Sequence, residues 1–126
     1  LTEREHHAGP PIDDYEAAGI SSSADLAHLF QERFFFGCEA DDPTAAWAYS
    51  GKTKLNPMFS SDVGHFDVID MSGMLEEAFE LVEDGDLNEA QFESFTFGNA
   101  ARLHTSLNPN FFKDTVVDGA VQTLKN

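Results

Sequence analysis

The chain has 126 residues, with seven Lys and Arg against 23 Asp and Glu, a formal net charge of −16 at pH 7 with His neutral. That balance repels nucleic-acid phosphates and anionic lipid, so neither is expected as a partner. Hydrophobic residues make up 41% and include twelve Phe, which suffices for one small cored domain and argues against a disordered tail.

The single cysteine, Cys38, excludes an intrachain disulfide framework and fits a reducing, cytoplasmic setting. No apolar run approaches the roughly 18 residues of a membrane span. The opening LTEREHHAGPP lacks a basic region followed by an apolar stretch, so no signal peptide is expected. The acidity reads first as solubility, of the kind a salty habitat favours. A cation surface would need carboxylates clustered in a defined geometry.

Residues 1–22 are weakly patterned and rich in Gly, Pro and Ser. They read as an N-terminal arm or loop with a short helix around 13–18. His6 and His7 are adjacent, a spacing that does not bring both rings to one metal on a helix or strand. Ser23 is the expected cap of a helix carrying Leu26, Leu29 and Phe30 on one face. Phe34-Phe35-Phe36-Gly37-Cys38 follows, an unbroken apolar run of the kind covered on both faces in a parallel sheet. It ends abruptly in Glu39-Ala40-Asp41-Asp42-Pro43. Pro43 suits the first turn of a helix that Asp42 caps and that runs on to Tyr49.

Pro57-Met58-Phe59 is the second candidate strand, leading into Ser60-Ser61-Asp62-Val63-Gly64-His65. Leu75, Ala78, Phe79 and Val82 then recur at i, i+3, i+4, i+7 between glutamates, an amphipathic helix ended by Gly85. Asn88 with Gln91 forms a capping box for a helix burying Phe92 and Phe95. Gly98-Asn99 is expected to break that helix, with another turn or two over 100–104 and an irregular tail after Pro109. Helices alternating with strands imply parallel strands joined by helical crossovers. Residues 39–57 exceed the dozen or so that a crossover needs. Both polar strand ends then share one sheet edge, where such folds carry their chemistry.

Two groups can carry chemistry there. Asp62 at a strand tip can ligate a divalent metal or act as a general base, and Gly64 lets His65 turn back towards it. The competing account has Asp62 closing a turn and His65 solvated. Glu39, Asp41 and Asp42 can hold a cation or a polar substrate, or Asp42 can serve only as a helix cap. Cys38 has no companion and reads as a small buried apolar residue. His28 and His104 read as surface or edge residues.

From Arg33 to Val117 the chain resembles the C-terminal region of the amidohydrolase superfamily, in its amidohydrolase 2 branch. The residues that carry this are Phe35-Phe36-Gly37-Cys38-Glu39-Ala40-Asp41-Asp42-Pro43 and Met58-Phe59-Ser60-Ser61-Asp62-Val63-Gly64-His65-Phe66-Asp67-Val68. They continue in Glu76-Glu77-Ala78-Phe79-Glu80-Leu81-Val82, Phe97-Gly98-Asn99-Ala100-Ala101-Arg102-Leu103 and Phe111-Phe112-Lys113-Asp114-Thr115-Val116-Val117.

The resemblance implies an α/β fold: residues 23–126 as the C-terminal fragment of a (β/α)8 barrel, with its last two β/α units and a helical extension. It implies a metal-dependent hydrolase, or a related non-oxidative decarboxylase, acting on a small-molecule substrate. Asp62 matches the family's aspartate after the eighth strand, which binds metal and handles the proton of the attacking water. Glu39, Asp41 and Asp42 fall on the seventh loop, within reach of substrate, and His65 becomes a substrate contact or a support for Asp62. The divalent metal, zinc in expectation, belongs to the full-length parent. The family's paired histidines and middle-strand ligands have no counterpart here, and His6-His7 lacks the His-x-His form. A barrel takes about 250 residues, so the fragment is expected to be inactive and metal-free alone. Two alternatives stay open: a non-catalytic acidic interaction domain that forms a homo-oligomer through apolar strand and helix faces, and a small cation-binding module built on Glu39, Asp41, Asp42 and Asp62.

Overall fold

A computed structural model describes residues 14–52 and 54–124. His6, His7 and Asp13 lie outside the described residues. Of the rest of the first expected helix, residues 15–18 form turns instead, and the turns run on to residue 19.

Helix α1 (Ser23–Arg33) starts one residue earlier than the pattern of apolar residues predicts, because Ser22 and not Ser23 is its cap. A capping box needs a reciprocating side chain three residues on, and Asp25 stands three after Ser22. Ser22 Oγ accepts the Asp25 N–H at 3.3 Å, while Asp25 Oδ2 accepts the Ser22 N–H at 2.8 Å. The chain then enters strand β1 (Phe36–Cys38) and crosses over through a 3-10 turn, Pro43–Ala46, into a short α2 (Trp47–Ser50). Pro43 sits in the first turn and Asp42 caps it, as expected.

Strand β2 (Pro57–Phe59) pairs parallel to β1, with Phe36 opposite Pro57, Gly37 opposite Met58 and Cys38 opposite Phe59. The result is a mixed α/β fold with a small parallel sheet. The sheet is less covered than the unbroken Phe run predicts: Gly37 is exposed and Phe34 is 43% exposed. Beneath it, Ala45, Leu81, Leu87 and Phe95 form the core, with Cys38, Ala46, Tyr49, Phe59 and Val82 packed against them. Phe95 is fully buried and meets Phe59 edge to face at 6.0 Å.

Helix α3 (Met74–Glu83) ends at Asp84, with Gly85 in the left-handed region at φ 81°. It turns Ala78 and Leu81 inward and leaves Leu75 and Phe79 largely outside. Helix α4 (Glu89–Glu93) opens with the expected Asn88–Gln91 box, both bonds present at 2.8 and 2.9 Å. Gly98-Asn99 does not break it. A π-helical stretch, Ser94–Gly98, carries the chain straight into α5 (Asn99–Leu107). The Asn99 N–H donates to the Ser94 carbonyl five residues back, so the backbone stays bonded through the glycine. The bulge also turns the Asn99 side chain into the protein. Its Nδ2 donates to the Pro57 carbonyl at 2.7 Å, and its Oδ1 accepts from Ser94 Oγ and Arg102 Nη2, each at 3.2 Å.

Asn56, next to Pro57, completes this lock. Its Nδ2 donates to the carbonyls of Gln31 and Phe34 at the end of α1, at 2.7 and 2.8 Å, and its Oδ1 accepts from Arg102. The Arg102 guanidinium also lies over the Phe35 ring, 5.5 Å from its centroid. The tail is likewise more ordered than expected. After turns at 109–117, α6 (Asp118–Leu124) buries Val121, and Asp118 Oδ2 accepts the Asp114 N–H at 3.1 Å.

Two outcomes follow for stability and titration. Asn99→Ala removes a buried donor and an acceptor together and strands the Pro57 carbonyl, so urea denaturation is expected to show a loss of about 1–3 kcal/mol. The Asp25 carboxyl is lowered from 3.8 to about 2, first by the Ser21 hydroxyl and then by the Ser21 N–H and Ser22. A depressed carboxylate pKa means that this cap is intact above pH 3.8 and weakens as pH falls towards about 2. NMR titration of the Asp25 side chain is expected to give that low midpoint in the native chain, and a higher one in Ser21→Ala.

Candidate active-site rim

Parallel pairing brings the carboxyl ends of both strands to one sheet edge. The chain leaves β1 into Glu39, Ala40 and Asp41, and leaves β2 into Ser60, Ser61 and Asp62. The Ser60 N–H donates to the Cys38 carbonyl at 2.8 Å, so the ladder extends to the base of this rim. An open cavity of about 350 Å³ lies there. Six carboxylates line it: Glu39, Asp41, Asp62, Asp67, Asp70 and Glu77.

Asp62 is held in a specific way. Its backbone is left-handed at φ 48°, a region that Asp tolerates better than most residues. Its carbonyl accepts the His65 N–H at 2.9 Å, closing a turn through Gly64 at φ 105°. Ser60 Oγ donates to Asp62 Oδ1 at 3.0 Å, and His65 Nδ1 lies 3.3 Å from Asp62 Oδ2. The carboxylate is about one-third exposed and the imidazole about two-thirds exposed, at 34% and 66%. A carboxylate so placed can accept a proton from a molecule in the cavity, with the imidazole bearing on its second oxygen.

The sequence candidates divide on this geometry. Glu39, Asp41 and Asp62 line one cavity. Asp42 does not: its Oδ1 accepts the Thr44 N–H at 2.9 Å and the Thr44 hydroxyl at 2.6 Å, so it serves the crossover helix as a cap. His65 touches Asp62 from outside the cavity lining. Cys38 is half-buried, and burial followed by the nearby Asp42 charge pushes its thiol pKa up, which disfavours a nucleophilic thiolate.

Asp67, Asp70 and Glu77 were not among the candidates. Asp70 Oδ1 accepts the Ser72 hydroxyl at 2.6 Å and its N–H at 3.0 Å, and these bonds hold its carboxyl below the usual carboxylate range. The Asp-x-Ser spacing of that turn is legible in the chain. The return of the loop to the rim is not, because it depends on where α3 docks.

Among the described residues, no three or more His, Cys, Asp or Glu side chains converge closely enough to hold one ion. The six carboxylates line the cavity without such a convergence. Among the described residues there is also no helix long and apolar enough to cross a membrane.

Comparison with protein-family models, with curated proteins and with solved structures finds no match.

Substitution separates the conformational demand at Asp62 from its chemistry. Asp62→Val places a β-branched residue at φ 48° and is expected to cost about 1–3 kcal/mol in chemical denaturation. Asp62→Asn keeps the left-handed preference and is expected to stay within about 0.5 kcal/mol of the native chain.

Proposed function

We propose that this chain forms the last two β/α units, with their helical extension, of a metal-dependent amidohydrolase-type (β/α)8 barrel working in the cytoplasm. Asp62 is its rim carboxylate. It accepts the proton of the attacking water, with His65 steadying the charged form and Ser60 fixing the orientation. Glu39 and Asp41 face the same space and contact the polar end of a small-molecule substrate. A non-oxidative decarboxylase would use the same rim.

One observation carries this reading. Asp62, Glu39 and Asp41 come from two successive loops and line one cavity beyond the carboxyl ends of a parallel strand pair, the edge at which barrels of this kind do their chemistry. The metal that the resemblance implies, zinc in expectation, would take its remaining ligands from strands of the parent outside the described residues, and the fragment would be inactive alone.

A second reading is favoured by the aromatic cluster where α1 runs into β1. Phe30, Phe34 and Phe36 stack at 4.8 to 6.4 Å, with Phe34 and Leu26 about two-fifths exposed. An acidic interaction domain would bury that cluster against a second copy. Sedimentation separates the two: a concentration-dependent dimer lost in Phe34→Ser supports self-association, and a monomer counts against it.

For the first reading, the purified chain is expected to show neither tight one-to-one zinc nor turnover of hydrolase and decarboxylase substrates. Stoichiometric zinc with turnover that Asp62→Asn abolishes would overturn the inactivity. An in-frame His-x-His about 200–300 residues before Leu1 in the coding region is the expected sign of the parent barrel. An upstream reading frame of that length without it would count against the family.

A further inference from the structure

The two outer edges of the sheet differ. In a parallel ladder, successive residues present their N–H and C=O groups to opposite neighbours. The Phe36 N–H donates to the Asn56 carbonyl and the Ser60 N–H to the Cys38 carbonyl, so these four residues face inward, between the strands. Pro57 and Phe59 therefore face outward from β2, and Gly37 faces outward from β1. The β2 edge is blunted. Pro57 has no N–H to offer, and its carbonyl already accepts from Asn99 Nδ2 at 2.7 Å. The β1 edge is open. Gly37 is exposed, has no side chain to shield its backbone, and makes no outward hydrogen bond among the described residues. Phe35 and Glu39 stand at the same parity on either side of it. The Glu39 carbonyl takes only a long bond from the Asp42 N–H, at 3.5 Å. Such an edge is a template for a further strand.

We infer that a second copy of this chain supplies that strand, its β1 running antiparallel to the first with Gly37 opposite Gly37. This pairing rests on the interaction-domain reading above and names the surface through which that domain self-associates. The outward row of residues 35, 37 and 39 is symmetric about Gly37, so a two-fold axis there satisfies the row in both copies at once. Gly37 exchanges both bonds with Gly37 of the second copy, and Phe35 does the same with Glu39 of the second copy.

The charges fit that register. The Arg102 guanidinium lies over the Phe35 ring, and its hydrogen bonds go only to the neutral oxygens of Asn56 and Asn99. In the pair it meets the Glu39 carboxylate of the second copy, and the axis repeats the contact. Opposite charges across a strand pair are stabilising. On the other face Phe36 falls opposite Cys38 of the second copy, which carries the stack of Phe30, Phe34 and Phe36 up to the axis. A net charge of −16 on each copy opposes any dimer, but physiological salt screens it beyond about 8–10 Å and leaves the contacts at the axis to decide.

The test follows amide exchange of the full chain by NMR from dilute to concentrated solution, alongside sedimentation. As the dimer forms, the Gly37 amide is expected to slow at least tenfold, while the Phe59 amide, on the outer edge of β2, is unchanged. In a mixture of labelled and unlabelled chains, the Phe36 Hα is expected to lie against the Cys38 Hα of the other copy. Glu39 is exposed, so Glu39→Lys leaves the fold intact. It makes each chain less negative, yet it is expected to weaken the dimer at least tenfold, because it sets Lys against Arg102. Glu83→Lys makes the same charge change on α3 and is expected not to weaken it. A tighter dimer in Glu39→Lys would overturn the pairing. A dimer lost in Phe34→Ser that leaves Gly37 exchanging freely overturns the pairing alone and keeps the interaction reading. A monomer at every concentration ends both.

Discussion

Two buried amides, Asn56 and Asn99, tie together the end of α1, the start of β2 and the start of α5. Asn56 binds the end of α1 with its amino group, Asn99 binds the start of β2 with its own, and Arg102 bridges their two oxygens. Each amide is nearly inaccessible to water. A buried amide left without partners costs about 1–3 kcal/mol, so these bonds form as a set or the packing around them fails. The set also aligns β1, because the Phe36 N–H donates to the Asn56 carbonyl at 2.9 Å. A slip of one residue would turn every strand side chain to the wrong face.

That lock lies at the amino end of the strands, and the rim lies at the other. With the start of β2 held, Cys38 falls opposite Phe59 and the two strands end level. The loops that follow then open around one cavity instead of two separate turns. The rigid end carries packing and the open end carries carboxylates, left-handed backbone at Asp62 and glycine at 64. Uncommon backbone conformation tends to persist where neighbouring structure enforces it. Here the Ser60 and His65 contacts are the enforcing groups.

Much of this was legible in the residues. The apolar runs marked both strands, the polar breaks marked their common edge, and Asn88 with Gln91 marked the cap of α4. Asp42-Pro43 marked the crossover turn, although Asp42 proved to spend its carboxylate on Thr44. What could not be read depended on tertiary contact. Gly98-Asn99 looks like a helix end because glycine is a poor helix former. The chain continues because a π-bulge lets Asn99 reach Pro57, a gain that no local pattern contains. The stripe on α3 was visible, but which part faces inward depended on Leu81 meeting Phe95 and Leu87. Asp67, Asp70 and Glu77 joined the rim through a loop whose path no periodicity describes.

The pairing of β2 with β1 in this register underlies the rim, and it can be observed directly. Scalar coupling across the hydrogen bond from the Ser60 N–H to the Cys38 carbonyl, measured by NMR on labelled protein, is expected to be present, accompanied by close backbone contacts between Cys38 and Phe59. Absence of that coupling, with helical contacts across 58–61 in its place, would contradict the account.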